Sequence, residues 1–531
     1  MVGIYLNPGA ALFNSARASE IYVDKSALIG CLNKRFGTEQ RYVCVSRPRR
    51  FGKTMAANMI CAYYDRTVAD EAFDGLVIAA STDFASYRGT ADVLRINMQE
   101  FLSETDTIGD LIAFLQESLL FEILEEYPDF HYIRRNNLRQ VMNKVYHETR
   151  RRFVIVIDEW DCIFREYPHD TKSQRKYLDF LRDWLKDKAY IGLAYMTGIL
   201  PIKKYGTHSA LNMFMEYSME DPGEFAEFVG FTESETRELC QRYSMDFDEC
   251  RAWYDGYSFR DCPHVYSPKS VVEAMQRRAF GDYWSKTETY EALKIYIDLN
   301  MDGLRDAIVK MMAGGRVKIN TLTFTNDMTT FASADDVMTL LVQLGYLGYD
   351  RENEEVFIPN NEIMREYVAA TMNGEQWEVV SKSIRGSDDI LRATLAGDAG
   401  KVAEGVEKAH LETSHIQYND ENVLSYTLSL AFYSARRFYN IVRIVREMPA
   451  GKGFADLVFL PRPQRAEKPA IVVELKWDKT AETAIRQIKE KKYGEALRNY
   501  AGEIILVGID YDRKTREHEA IIGQMRYPTV D

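Results

Sequence analysis

The 531-residue sequence predicts an α/β protein: a parallel sheet with helices on both faces, a mainly helical middle region, and a second α/β domain at the C-terminal end. Three observations predict it. The apolar run Tyr42 to Val45 leads through a Pro-containing loop into Gly52-Lys53-Thr54 and a helical pattern. A second run, Phe153 to Ile157, has five consecutive apolar residues and ends in Asp158-Glu159. Unbroken apolar runs suit strands covered on both faces, as in parallel sheets. Near the C-terminal end, two more apolar strands carry Asp456 and then Glu474-Leu475-Lys476.

In chain order, Ile21 to Ser26 precedes a helical pattern through Leu28, Ile29 and Leu32, with Ser26 placed to cap it. The stretch from Tyr42 to Ile60 then reads as strand, loop, Gly-Lys-Thr and helix, the layout of a nucleotide phosphate loop. Backbone N–H groups at a helix start attract phosphate. Gly52 allows close backbone approach, Lys53 reaches the β- and γ-phosphates, and Thr54 offers a hydroxyl to Mg²⁺. The first glycine of the common pattern falls at position 47, where this chain has arginine.

A strand follows at Val93–Met98, and helices span about Ile108 to Arg151. Asp158 is placed to hold Mg²⁺ and Glu159 to polarise the attacking water. Lys172 to Lys188 is amphipathic, with Tyr177, Leu178, Leu181, Trp184 and Leu185 on one face. The strand Ile191–Gly198 places Thr197 at its end as a γ-phosphate sensor, or as a turn residue. Lys203 and Lys204 face either phosphate or solvent.

After about residue 220, Thr232-Glu233-Ser234-Glu235 signals a helix start. Trp253 to Phe259, with Phe280, Tyr283 and Trp284, is rich in aromatics that read as core, with base stacking as the alternative. A hairpin around Tyr346 to Ile358 among helices is compatible with a winged-helix-like module, and Gly374 to Leu411 reads as a helical connector. The expected boundaries are 1–220 for the first α/β domain, 221–372 for the middle region, 373–415 for the connector and 416–531 for the last domain.

In that last domain Glu421 to Tyr439 follows one helical pattern, and Arg443 to Glu447 reads as a strand. Glu474 and Lys476 are two apart on a strand and share a face. With Asp456 they gather two carboxylates and an ammonium. Hard oxygen ligands suit Mg²⁺ or Mn²⁺, which activates water, and Lys476 positions that water. Glu421 is a further candidate acid, and Gln487 and Lys491 are candidates on the next helix. The basic run Arg486, Lys489, Lys491, Lys492 and Arg498 either follows a phosphate backbone or is a solvated helix face.

Hydrophobic residues make up 46% and charged residues 28%, as in soluble globular proteins. No apolar run approaches membrane-spanning length, and Met1 to Glu20 lacks the pattern of a signal peptide. Seven cysteines at irregular spacing oppose a disulfide framework, so a reduced, cytoplasmic protein is expected. The net charge of −13 means that any nucleic-acid contact uses a local basic patch.

Arg47-Pro48-Arg49-Arg50-Phe51-Gly52-Lys53-Thr54 resembles the R-P-R-R-F-G-K-[ST] loop of a bacterial AAA-ATPase-like family, which itself lacks the first glycine. Tyr22 to Ser26 resembles that family's Y-V-D-K-[TS], Asp158 to Asp161 its D-E-Y-D, Thr197-Gly198-Ile199 its T-G-[VI], and Trp253 to Tyr257 its W-Y-D-G-Y. The C-terminal segment is similar to the PD-(D/E)XK nuclease-superfamily domain usually fused to that ATPase. Asp456, Glu474 and Lys476 fall on its D…E-x-K positions. The resemblance covers most of the chain and is weakest from about 290 to 415. It implies a P-loop NTPase sheet and a restriction-endonuclease-like domain. ATP would lie along Arg49, Arg50, Phe51, Gly52, Lys53 and Thr54, beside Asp158 and Thr197. Mg²⁺ would sit at Thr54 and Asp158, and Mg²⁺ or Mn²⁺ at Asp456 and Glu474. The expected partners are ATP and nucleic acid, with no membrane and with oligomerisation left open. The rival is an ATP-dependent switch or scaffold whose nuclease domain is degenerate and serves only for docking.

Overall fold

The computed structural model describes residues 3–202, 204–205, 208–209, 211–284, 290–299, 301–326, 328–372, 375–413, 428–445, 455–462, 465–490, 500, 502–512, 514–515 and 517–526. They fall into two compact units, 1–287 with 318–363, and 288–317 with 364–531.

The first unit is built on a five-stranded sheet of β1 (Tyr42–Ser46), β2 (Asp92–Asn97), β3 (Phe153–Asp158), β4 (Ile191–Gly198) and β5 (Met215–Tyr217), in the order β2-β3-β4-β1-β5. All its pairings are parallel. Every residue of β1, β3 and β4 is buried, which is why these strands read as unbroken apolar runs. The helix Lys53–Tyr64 follows β1 and packs on β2, β3 and β4. β4 lies between β1 and β3, with Thr197 in register with Val45 on one side and Asp158 on the other. The loop after β1 and the acids after β3 therefore meet at the carboxyl ends of the strands. That is where open α/β sheets bind ligands.

Beyond the sheet, Thr232 caps the helix Glu233–Tyr243 through a complete capping box with Glu235. Thr232→Ala should cost about 1 kcal/mol of stability, measured by denaturant unfolding. Ser26 differs from expectation. It stands before the helix Ala27–Asn33 with an already helical backbone (φ −65°, ψ −18°), and its side chain makes no cap bond. A capping side chain needs an extended backbone to reach back to the helix N–H groups. Ser26 Oγ instead accepts from Ile78 N at 3.1 Å. The aromatics Trp253, Tyr254, Tyr257, Phe259 and Trp284 are buried, so they are core and offer no stacking surface. The expected hairpin is present, with Gly348–Asp350 paired to Glu355–Phe357.

In the second unit, helices Glu378–Ala396 and Ala399–Thr413 are joined at Gly397, whose φ of +74° ends the first of them. A mixed sheet follows, of β6 (Tyr439–Val445), β7 (Ala455–Pro461), β8 (Ala470–Trp477), β9 (Glu503–Tyr511) and β10 (His518–Arg526), in that order. Only β8 and β9 are parallel. The helical pattern expected to reach Tyr439 stops earlier. Tyr433–Arg437 is a 3-10 turn, and Tyr439 opens β6 because its backbone pairs with Pro461.

The sheet has two packed faces. Ile471, Val473, Leu475, Ile505, Val507 and Ile509 pack with Leu391, Val402 and Val406 of the two helices. Ala470, Val472, Ile504 and Leu506 face the other way and pack with Ile485 and Ile488 of the helix Ala481–Glu490. Strand alternation puts Glu474 and Lys476 on this second face, one and two steps beyond Val472. Among the described residues no helix is long and apolar enough to cross a membrane, and all seven cysteines are free thiols.

Candidate functional site

A cavity of about 850 Å³ opens at the carboxyl ends of β1 and β3. It is lined by Arg49, Arg50, Phe51, Gly52, Lys53, Thr54, Asp158 and Glu159. Gly52 has φ +93° and caps the following helix, and a Cβ there would meet nothing within 4 Å. Glycine is therefore required here by the left-handed backbone rather than by crowding.

Lys53 Nζ donates to Arg47 O at 3.0 Å and Pro48 O at 2.9 Å, folding the loop around its own lysine. Burial lowers its pKa, opposed by the nearby carboxylates of Glu159, Asp158 and Asp161. Asp158 is 2% exposed, and burial raises its carboxyl. The nearby Thr54 hydroxyl opposes that rise. Thr54 and Asp158 thus offer two hard oxygens to the same cavity, the donor type that a divalent cation would need. Glu159 adopts φ +54° and pairs with Arg165, which also reaches Asp161 at 3.5 Å. Asp161 is itself fixed, because its Oδ2 accepts from Ile199 N and Leu200 N at 3.0 and 2.8 Å.

Thr197 is not brought to the cavity. It is fully buried, and its Oγ1 donates to Val45 O at 3.1 Å, a neighbouring backbone rather than a ligand. The side chains of Lys203 and Lys204 lie outside the described residues. Arg47, at the position of the usual first glycine, is fully buried and bonds outward. Its guanidinium donates to Ser46 O at 2.8 Å and to Tyr217 O and Ser218 O at 3.1 Å. Burial lowers its pKa to about 10.

Among the polar residues that line the cavity and that sequence reasoning missed are Arg165, Asn97 and Lys269. Asn97 ends β2 in register with Asp158, a strand-end signal like the one noticed for Thr197. Arg165 stands four residues after Asp161, a spacing that pairs charges on one helical turn. Lys269 falls in the Ser-Pro-Lys-Ser segment, which reads only as a helix start.

In the second unit Lys476 Nζ donates to Glu474 Oε1 at 2.7 Å, and the two residues are 1% and 0% exposed. Gly508 is the register partner of Glu474, and a Cβ there would meet Ala481 O at 2.6 Å, so the helix Ala481–Glu490 lies close over this face. The β7–β8 ladder ends at Leu457 paired with Val473, and Asp456 and Glu474 are the next residues of the two strands. The Asp456 side chain lies outside the described residues, as do Glu421, Lys491, Lys492, Arg498 and the side chains of Gln487 and Lys489. Arg486 is exposed. Asp510, register partner of Lys476, is a further acid on this strand pair. It is 6% exposed, accepts from Lys479 N at 3.1 Å, and has its carboxyl raised by burial. Among the described residues no three His, Cys, Asp or Glu side chains cluster closely enough to hold a metal ion.

Residues 10–207 match the family described as Predicted AAA-ATPase, and residues 421–520 match the PD-(D/E)XK nuclease superfamily. Over 522 residues the chain is 24% identical to an uncharacterized protein in the vnfD 5′ region of Azotobacter chroococcum mcd 1, covering 93% of each. The ORC2 protein of Aeropyrum pernix aligns in its ADPNP-ADP complexes at 11% identity and TM-score 0.29, over 67% of this chain and 98% of that one. Its ADP form aligns at 10% identity and TM-score 0.27, over 70% and 100%. Neither superposition is close enough to carry an argument.

Proposed function

From a chain that joins an AAA-ATPase-like domain to a PD-(D/E)XK nuclease-superfamily domain, we propose a protein that binds and hydrolyses ATP and acts through its C-terminal domain on nucleic acid. The observation that carries the first half is the meeting of Lys53, Thr54, Asp158 and Glu159 in one cavity at the carboxyl ends of β1 and β3. Lys53 would leave the carbonyls of Arg47 and Pro48 for the β- and γ-phosphates, exchanging neutral acceptors for charged ones. Glu159 would take a proton from the water that attacks the γ-phosphorus as the bond to ADP breaks. A Mg²⁺ held by Thr54 and Asp158 supplies charge neutralisation for the phosphates when bound.

The C-terminal half rests on Glu474 and Lys476 standing side by side, next along the ladder from Asp456. Asp456 and Glu474 would hold Mg²⁺ or Mn²⁺, which supplies activation of water when bound, and Lys476 would orient that water. The burial of Glu474 and Lys476 favours the second reading, an ATP-dependent switch whose nuclease-like domain serves only for docking.

One experiment separates the two. The full chain is incubated with ATP and Mg²⁺, then with linear, circular and single-stranded DNA and with RNA in Mn²⁺, with and without ATP. Phosphate release together with cleavage supports the full proposal. Phosphate release with no cleavage and no metal-induced stabilisation leaves the switch. No phosphate release refutes the ATPase reading.

A further inference from the structure

The carbonyls of three consecutive loop residues carry side-chain hydrogen bonds. Arg47 O and Pro48 O accept from Lys53, and Arg49 O accepts from the Trp284 indole N–H at 3.3 Å. Two of these bonds are made by the lysine that would move to phosphate. The Trp284 bond comes from outside the loop and does not depend on the ligand.

Trp284 is 2% exposed, and its ring meets Tyr346 edge-on at 5.1 Å. The neighbouring Gly345 lies against Pro48, where a Cβ would come within 2.7 Å of the proline Cγ. The backbone N–H groups of Tyr283 and Trp284 both donate to Glu362 Oε1, at 2.7 and 2.9 Å. The other oxygen, Oε2, accepts from Ser270 Oγ at 2.7 Å. Ser270 belongs to the helix Pro268–Arg277, whose Pro268, Lys269, Val272 and Gln276 line the cavity. Glu362 is 1% exposed.

We propose that Trp284 and Glu362 are positioning residues of the nucleotide site, one buried carboxylate tying the phosphate loop, through Trp284, to the cavity-lining helix, through Ser270. This rests on the reading of the cavity as a nucleoside-triphosphate site. The two walls share no covalent neighbour, since Arg49 and Ser270 are far apart in the chain, and this bridge joins them through hydrogen bonds. A carboxylate suits the task because one group accepts from three donors on two segments.

The test is a double-mutant cycle on the full chain, with ATP affinity in Mg²⁺ measured by calorimetric titration and hydrolysis measured alongside. Trp284→Phe keeps an aromatic ring against Tyr346 and removes only the indole donor. It should raise Kd and KM about five- to tenfold, the loss of one hydrogen bond, while kcat and melting temperature stay near the parent's. Ser270→Ala leaves Trp284 in place and should weaken ATP several-fold. It carries the test if Trp284→Phe does not fold. The double variant should be no weaker than the poorer single one, because both cut the same bridge. Parent-like affinity in Trp284→Phe, or strictly additive losses, overturns the proposal while leaving the ATPase intact. A parent that binds no ATP removes the nucleotide reading itself, and this proposal with it.

Discussion

Lys53→Ala is expected to abolish ATP hydrolysis and weaken ATP binding, the largest effect of any single substitution in the first unit. The lysine is 5% exposed and reaches two loop carbonyls from the first turn of the helix Lys53–Tyr64. Alanine removes the cation for the β- and γ-phosphates and the group that gathers the loop. Glu159→Gln is the contrasting variant. It keeps a side chain of the same size beside Arg165, so ATP should bind as in the parent. Turnover should fall roughly 10²–10⁴-fold, because only the proton acceptor is lost. Steady-state phosphate release and equilibrium titration with ATP check both. A Lys53→Ala protein that hydrolyses ATP like the parent refutes the assignment of the loop.

Lys476→Ala should destabilise the second unit by about 3–5 kcal/mol in metal-free buffer, since it leaves the Glu474 carboxylate buried without its cation. Sequence alone suggests a milder variant that loses cleavage and keeps metal. Burial of both side chains adds the stability term. Mn²⁺ bound at Glu474 would stand in for the missing ammonium and restore part of the loss, about 2.7 kcal/mol at a hundredfold excess over Kd. Urea unfolding with and without Mn²⁺ reads this directly. An unchanged midpoint without metal shows that the pair is not buried in solution, and a loss that Mn²⁺ does not touch speaks for the docking reading.

The sheet was legible because its signals are local. Five apolar residues in a row mark β3 as buried whatever surrounds it, and Thr232 with Glu235 marks a helix start over four residues. The loop residues and Asp158-Glu159 could be paired in advance because strand-end position follows from strand identity. What a side chain does at that end was not legible. Thr197 stands at the right strand end, but its hydroxyl turns to Val45 O, a choice made by a neighbour some 150 positions away. Ser26 has the right residue type for a cap and the wrong backbone angles. Trp284 and Glu362 carry no pattern, since their partners Arg49, Ser270 and Tyr346 come from separate parts of the chain. The E-x-K pair was visible as two residues on one face, while its enclosure depends on the helix Ala481–Glu490 lying over Gly508.

Arg47 braces the edge of the sheet. Its guanidinium holds the ends of β1 and β5 together through Ser46 O, Tyr217 O and Ser218 O. Substituting glycine would match the commoner motif, yet it would strand those acceptors and hollow out the space beneath the loop. At this position the residue that the loop pattern favours and the residue that the sheet edge needs are different, and the arginine serves the sheet edge.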